Sequence, residues 1–84
     1  MQIKVLGTGC AKCKLLYGEA EKAITASGSP VELTKVERID EIMKFGVMMT
    51  PALVLDGEVK VSGRVPKSAE ILSWIMTAAA KTPA

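Results

Sequence analysis

The sequence predicts a single small α/β domain with the element order β-α-β-α-β-β-α. Three observations support this. The chain has 84 residues, 49% of them hydrophobic, which suits one globular domain. Strand-like and helix-like periodicities alternate along it. Asp56-Gly57 separates two β-prone runs, a strong hairpin signal. We place the domain at residues 1–78 and expect residues 79–84 to form a frayed C-terminal tail.

The first half of the chain is predicted to form a β-α-β unit. A β-prone run at residues 3–6 ends at the loop signal of residues 7–9 (Gly-Thr-Gly). A helix follows, closed by residues 27–30 (Ser-Gly-Ser-Pro). Residues 31–36 alternate apolar and polar, as in a strand with one wet face. The right-handed crossover makes these two strands parallel. The apolar positions of the helix are Cys13, Leu16, Tyr17, Ala20 and Ile24.

The second half is predicted to add a short helix, a hairpin and a last helix, giving a four-stranded mixed sheet with helices on both faces. Asp40 is the candidate N-cap of the short helix, Gly46 ends it, and Met43 is expected to pack in the core. The hairpin strands are residues 52–55 and 58–61, and the second is expected to alternate apolar and polar.

The last helix is predicted to begin near Pro66 and Ser68. At 100° per residue, Trp74 lies opposite the expected apolar stripe, so we expect it to be exposed and treat it as a candidate partner anchor. That stripe consists of Leu72, Ile75, Met76 and Ala79.

Composition excludes several classes of function. The net charge of +2 and the scarcity of aromatic residues do not indicate nucleic-acid binding. The chain has no His, which excludes a His general base and any His-bearing zinc site. We find neither a signal peptide nor an apolar run long enough to span a membrane, so we expect a cytoplasmic protein without a membrane partner.

The chemistry of the chain is expected to lie in residues 10–13 (Cys-Ala-Lys-Cys). Cys10 follows the first strand and opens the first helix, where unpaired N–H groups and the helix dipole favour a thiolate. Lys12 adds positive charge nearby. Cys13 lies one turn further on, partly beneath the helix. We therefore predict that Cys10 attacks a target disulfide and that Cys13 resolves the mixed disulfide.

Four segments resemble the small thioredoxin- and glutaredoxin-like redox-active disulfide proteins of prokaryotes, which have the thioredoxin fold. They are residues 9–13 (Gly-Cys-Ala-Lys-Cys), 46–53 (Gly-Val-Met-Met-Thr-Pro-Ala-Leu), 56–57 (Asp-Gly) and 63–66 (Gly-Arg-Val-Pro). The resemblance covers nearly the whole chain. It implies a protein disulfide oxidoreductase that needs no cofactor besides its own Cys10–Cys13 disulfide, with protein disulfides and a reductase as partners. Nothing in the sequence demands more than a monomer.

The resemblance also implies roles around Thr50-Pro51. In this fold the proline is cis and faces the cysteine pair, and the backbone of Thr50 pairs with an extended stretch of the target. Met49 is expected to shape the rim of that site together with Met48. The alternative is that Pro51 begins a strand in trans. Tyr17 is expected to pack beneath the site.

Two departures from the family pattern stand out. Thioredoxins bury an acid on the first strand, where this chain offers Lys4, so its proton handling must differ. Residues 62–65 (Ser-Gly-Arg-Val) replace the segment with which glutaredoxins hold glutathione. We expect Arg64 to be exposed and solvated.

A rival function is a soft-metal carrier that binds Cu(I) or Zn²⁺ through the same two cysteines. Such carriers also place Cys-x-x-Cys between a first strand and a first helix, but they end strand, strand, helix, strand and lack Thr50-Pro51. A redox sensor would share the oxidoreductase chemistry, and the sequence does not separate the two.

Overall fold

The structure is a computed structural model, and it describes residues 1–9 and 11–81. Within these residues the elements follow the predicted order, so the α/β class is confirmed. The elements are β1 (Gln2–Leu6), α1 (Ala11–Ser27), β2 (Glu32–Val36), α2 (Ile39–Met43), β3 (Ala52–Leu55), β4 (Glu58–Ser62) and α3 (Ser68–Lys81).

The strands form one mixed sheet in the order β2-β1-β3-β4. β1 runs parallel to β2, with Leu6 opposite Val36, as a β-α-β unit predicts. β3 is antiparallel to β1 and places Ala52 opposite Leu6. β4 is antiparallel to β3. The connecting residues Asp56 and Gly57 have φ angles of 49° and 84°. Both are positive, as a type I′ turn requires, so the predicted hairpin is confirmed.

One face of the sheet is covered by α1 and α3, which also pack against each other. Alternate strand residues point toward these helices because side chains in a strand alternate between faces. The buried apolar side chains of this layer are Ile3, Val5, Leu16, Ala20, Ala23, Leu53, Leu55, Val61, Ile71 and Ile75. This cluster is the main hydrophobic core, and it fixes α1 to the sheet.

The opposite face is covered by α2 and the segment that follows it. Its buried side chains are Leu6, Val36, Ile42, Ala52 and Val54, with Phe45, Val47 and Val59 partly buried against them. Helices therefore cover both faces of the sheet, as predicted. The layer on the α2 face buries fewer side chains than the layer formed by α1 and α3.

β4 departs from the alternation predicted for residues 58–61. The register shifts between Leu53 and Val54, so that Val61 pairs with Leu53 while Val59 pairs with Val54. Val59 packs on the α2 face and Val61 on the α1/α3 face. Regular alternation is wrong here because one extra residue in a strand moves the following side chains to the other face.

α2 also differs from its prediction. Its N-cap is Arg38, which makes no side-chain capping bond, and Asp40 lies inside the first turn instead. Met43 is 67% exposed, so the prediction that it packs in the core is wrong. A helix of five residues presents little surface to the sheet, and Ile42 is the residue it buries.

The buried side of α3 is rotated from the predicted stripe. Ile71 and Ile75 are fully buried, whereas Met76 is 53% exposed. Trp74 packs partly buried against the main core, which removes the basis for treating it as an exposed partner anchor. The apolar residues at positions 71, 72, 75 and 76 are compatible with two neighbouring apolar stripes along the helix. The alanines at positions 78–80 fit either stripe.

α3 includes residues 79–81, the first part of the predicted tail, and residues 82–84 lie outside the described residues. The domain boundary at residue 78 stays a prediction. Among the helices of the described chain, none has the length and hydropathy of a membrane-spanning segment.

Candidate active site

The candidate site lies at one end of the sheet, where several loops meet. Leu6 pairs with both Val36 and Ala52, and Ala52 also pairs with Ser62. The C-terminal ends of β1, β2 and β4 and the N-terminal end of β3 therefore lie at the same end of the sheet. This register brings the loop of residues 7–13 and the Thr50-Pro51 segment to the same end of neighbouring strands.

Cys13 lies in the first turn of α1 and is buried, with 6% of its surface exposed. It is on the helix face that packs toward the sheet, as the sequence predicts. Cys10 lies outside the described residues, so the predictions made for its sulfur stay predictions. The chain places Cys10 between Gly9, which is exposed, and Ala11, the first residue of α1.

Gly7 is a further candidate site residue, predicted above only as part of a loop. It is buried at the end of β1, and its N–H donates a hydrogen bond of 2.9 Å to the carbonyl oxygen of Val36. A Cβ atom built on Gly7 would overlap the Sγ atom of Cys13. The signal was present in the sequence, because position 7 continues the alternation of Ile3 and Val5 toward α1.

A cavity of about 60 Å³ lies beside Cys13. A volume of about 10–15 Å³ is enough for one water molecule, so water fits next to the thiol. The cavity is lined by Val5, Gly7, Gly9, Cys13, Lys14, Lys35 and Glu37. Its charged groups come from α1 and from the end of β2.

Glu37 is the carboxylate among the described residues that line this cavity. Its Oε2 atom is 3.3 Å from the position that a Cβ atom on Gly9 would occupy, so it lies against the cysteine loop. Lys35 reaches over the ring of Tyr17, with its Nζ atom 4.6 Å from the ring centroid. Tyr17 itself packs partly buried against the main core.

Lys4 does not take part in this arrangement. Its Nζ atom lies 5.4 Å from the ring centroid of Phe45, on the α2 face of the sheet. β1 therefore directs Val5 and Gly7 toward the cavity and Lys4 away from it. The strand position that the sequence analysis compared with the acid of thioredoxins is thus occupied by a cation. The nearby carboxylate comes from the end of β2 instead.

The predicted substrate segment is largely exposed. Thr50 and Met49 are exposed, and Met48 is 97% exposed. Pro51 is fully buried, and the peptide bond that precedes it is cis. The carbonyl oxygen of Pro51 accepts a hydrogen bond of 2.8 Å from the N–H of Gly63. The segment is thereby held to the end of β4.

Lys12 is exposed on α1, and Lys14 is the lysine of that helix that borders the cavity beside Cys13. The charge effect predicted for Lys12 concerns Cys10 and stays a prediction.

Arg64 is exposed, as predicted, and in addition its guanidinium is paired with a carboxylate. It donates two hydrogen bonds to the Glu70 carboxylate, of 3.1 Å and 2.6 Å. The hydrogen bond from Arg64 lowers the pKa of Glu70 and raises that of Arg64. The pair ties the loop after β4 to the first turn of α3. The guanidinium of Arg64 is thus bound to a carboxylate of the same chain.

Within residues 1–9 and 11–81, the side chains of His, Cys, Asp and Glu form no cluster of three or more that suits a metal ion. A carrier that uses only the two cysteines is not tested by this observation, because Cys10 lies outside the described residues.

The fold and the position of the cysteines define a class of protein, the thioredoxin-like proteins in which Cys-x-x-Cys links the first strand to the first helix. Comparisons with known proteins agree. The family described as thioredoxin domain matches residues 1–76. A thioredoxin of Methanothermobacter thermautotrophicus is 39% identical over 71 residues, covering 84% of this chain and 92% of its own length. A thioredoxin of Methanocaldococcus jannaschii is 35% identical over 69 residues, covering 82% and 79% respectively.

The chain therefore belongs to the thioredoxin domain family, and the predicted resemblance is confirmed. Its general activity is that of a protein disulfide oxidoreductase.

Proposed function

We propose that this protein exchanges its Cys10–Cys13 dithiol with disulfides of protein substrates, with Cys10 as the nucleophile and Cys13 as the resolving thiol. The burial of Cys13 in the first turn of α1 is the observation that carries the proposal. A thiol held beneath a helix is poorly placed to attack an external disulfide. It is well placed to attack a neighbour one turn earlier in the chain.

The exchange has two steps. The Cys10 thiolate attacks one sulfur of the substrate disulfide, which forms a mixed disulfide and releases the first substrate thiolate. The Cys13 thiol then loses its proton and attacks the Cys10 sulfur. The Cys10–Cys13 bond forms and the second substrate sulfur leaves as a thiolate. Two electrons pass from the protein to the substrate, and a partner reductase returns them.

Glu37 is our candidate for the base in the second step. Burial disfavours a thiolate, so Cys13 needs an acceptor for its proton. The chain has no His, and the cavity beside Cys13 is bordered by the Glu37 carboxylate and has room for water. Lys14 and Lys35 border the same cavity, and their positive charge favours the Cys13 thiolate once it forms. This arrangement replaces an acid on the first strand.

The segment of residues 48–51 is our candidate for the substrate surface. The backbone of Thr50 would pair with an extended stretch of the target, and the exposed side chains of Met48 and Met49 would supply adaptable apolar contacts. The redox-active group is the cysteine pair itself, without a further cofactor. We propose that the protein works in the cytoplasm, where a reductase keeps the pair available as a dithiol.

Two cysteine variants test the assignment of roles. Cys13→Ser should accumulate a mixed disulfide with a protein substrate, because the second step is lost. Cys10→Ser should accumulate none, because the first step is lost. Both are scored by non-reducing electrophoresis and mass spectrometry after mixing with an oxidised protein. Trapping by Cys10→Ser alone would reverse the assignment.

A redox titration separates this function from soft-metal carriage. Metal-free protein is equilibrated in graded dithiothreitol buffers, its thiols are alkylated, and the labels are counted by mass. A reversible transition between zero and two labels establishes the couple, and its midpoint gives the direction of electron flow. Two thiols that stay free across the range would overturn the proposal in favour of Cu(I) or Zn²⁺ binding. The element order argues against a carrier, since the chain continues β3-β4-α3 after α2.

A further inference from the structure

The contact between Gly7 and Cys13 has a chemical consequence. A Cβ atom on Gly7 would overlap the Sγ atom of Cys13 and would lie 3.1 Å from its Cβ atom. The first contact is impossible without movement, and the second is tight. The sulfur therefore occupies space that any residue other than glycine would fill.

The backbone of Gly7 gives no other reason for glycine at this position. Its φ angle lies outside the left-handed region that favours glycine. Its N–H is bonded to the Val36 carbonyl, which continues the pairing of β1 with β2 by one residue. An alanine would thus be compatible with the φ angle and the hydrogen bond of Gly7, and its main obstacle is the Cys13 sulfur, with a second, tight contact to the Cys13 Cβ atom.

Neither backbone in this contact can easily move away. The Gly7 backbone is held by the hydrogen bond to Val36. Cys13 is held by α1, whose next buried residues, Leu16 and Ala20, lie in the main core. The simplest response to an added methyl group is a rotation of the Cys13 side chain that turns Sγ away from residue 7.

We propose that Gly7 is a positioning residue that sets the direction of the Cys13 sulfur for closing the Cys10–Cys13 disulfide. The inference rests on the proposed function. In the dithiol, the Cys13 sulfur is not bonded to Cys10, so rotation about the Cα–Cβ bond of Cys13 can relieve an added methyl group. In the disulfide, the sulfur is bonded to Cys10 within narrow limits of length and torsion, so the same relief is not available. A methyl group on residue 7 therefore costs more in the oxidised form.

The step affected is the second one of the exchange. The Cys13 thiolate attacks the Cys10 sulfur, the bond between Cys10 and the substrate sulfur breaks, and the substrate leaves as a thiolate. Cys13 and Cys10 are oxidised together and the substrate disulfide is reduced. A Cys13 sulfur that points away from its productive direction slows this attack, whereas attack by Cys10 on the substrate is unaffected.

Gly7→Ala tests the inference, with Gly18→Ala as the matched control. Gly18 lies on α1, the helix that carries Cys13, and a Cβ atom built there has nothing within 4 Å. In Gly7→Ala, we expect the equilibrium between disulfide and dithiol to shift about tenfold toward the dithiol. The midpoint reduction potential should then be about 30 mV less negative than that of the parent protein. We also expect the mixed disulfide to last about tenfold longer or more, since a small misplacement slows a reaction strongly. Gly18→Ala should match the parent protein in both measurements.

The outcomes separate the inference from the function on which it rests. A parent protein without a reversible two-electron couple overturns both. A parent protein with a normal couple, and Gly7→Ala with the same midpoint and the same mixed-disulfide lifetime, overturns the inference about Gly7 alone.

A second measurement covers the case in which Gly7→Ala folds poorly. The free energy of unfolding is measured for Gly7→Ala in the parent and in a Cys13→Ala background. If the sulfur is the obstacle, the cost of the methyl group is much smaller once the sulfur is absent. An equal cost in both backgrounds would show that residue 7 acts on the fold and not on the Cys13 sulfur, which overturns the inference.

Discussion

The two faces of the sheet are covered very differently. α1 and α3 share a continuous core with the strands, whereas α2 places Ile42 against the other face and leaves Ile39 and Met43 exposed. Cys13 lies on the first face. On the second face, the chain that follows α2 continues into the exposed segment of residues 48–50. The proposed resolving thiol thus lies on the firmly packed side, and the candidate substrate segment follows the thinly packed side. Regions with few buried contacts open more easily, which suits a loop that adapts to different partners.

The first way to test this comparison is to create a cavity in the larger core. Ile75 is fully buried between α3 and the rest of the cluster. Ile75→Ala should lower the free energy of unfolding by about 2–5 kcal/mol, measured by urea denaturation. The midpoint potential of the folded protein should not change, because Ile75 does not border the cavity beside Cys13. A cost below about 1 kcal/mol would contradict the division between the two faces.

The second test is the corresponding truncation on the smaller face. Ile42→Ala should cost about 2 kcal/mol, the lower end of the range, because the neighbouring Phe45 and Val47 are partly exposed and can close over the space. Amide exchange in residues 44–50 should become faster, and the KM for a protein disulfide should rise while the midpoint potential stays constant. A changed potential with an unchanged KM would show that this face serves the cysteines instead of the substrate segment.

The same contrast explains how far the sequence predicted the fold. On the larger face the periodic pattern is long, so the helix that carries Cys13 and the order of the elements along the chain were predicted correctly, although the buried stripe of α3 was not. On the smaller face the pattern is short. The five-residue helix buries one residue, Ile42, whereas the sequence analysis expected Met43 to pack in the core. The register shift in β4 had no signal in the alternation of residues 58–61.

The candidate site was predicted in part for a related reason. Cys13, Thr50 and Pro51 belong to short motifs that can be recognised along the chain. Gly7 and Glu37 both lie beside Cys13 because β1 and β2 end side by side, which is a property of the parallel register. The alternation of each strand, continued by one residue, would have predicted that positions 7 and 37 face α1. That they lie close to Cys13 follows only once the pairing of β1 with β2 is known.

A third prediction concerns the ion pair that braces the larger face. Arg64 lowers the pKa of Glu70, so the charged pair contributes its full stabilisation above the ordinary pKa of glutamate and loses it as the pH falls through the lowered pKa. Glu70→Gln should therefore lower the melting temperature at pH 7, and the difference from the parent protein should shrink as the pH falls through that lowered pKa. Both side chains are partly exposed, so the loss of stability at pH 7 should be smaller than the loss caused by Ile42→Ala. A difference that persists in acid would mean that Glu70 acts by packing.

The smallest effect is expected on the exposed surface of the smaller face. Met43 is 67% exposed, so Met43→Gln should change the free energy of unfolding by less than about 0.5 kcal/mol. Urea denaturation beside Ile42→Ala, one residue away on the same helix, gives a direct contrast between a buried and an exposed position. A cost for Met43→Gln close to that of Ile42→Ala would mean that the side chain is packed in solution. The second layer would then be thicker than the structure shows, and residues 44–50 would be held as firmly as the helix that carries Cys13.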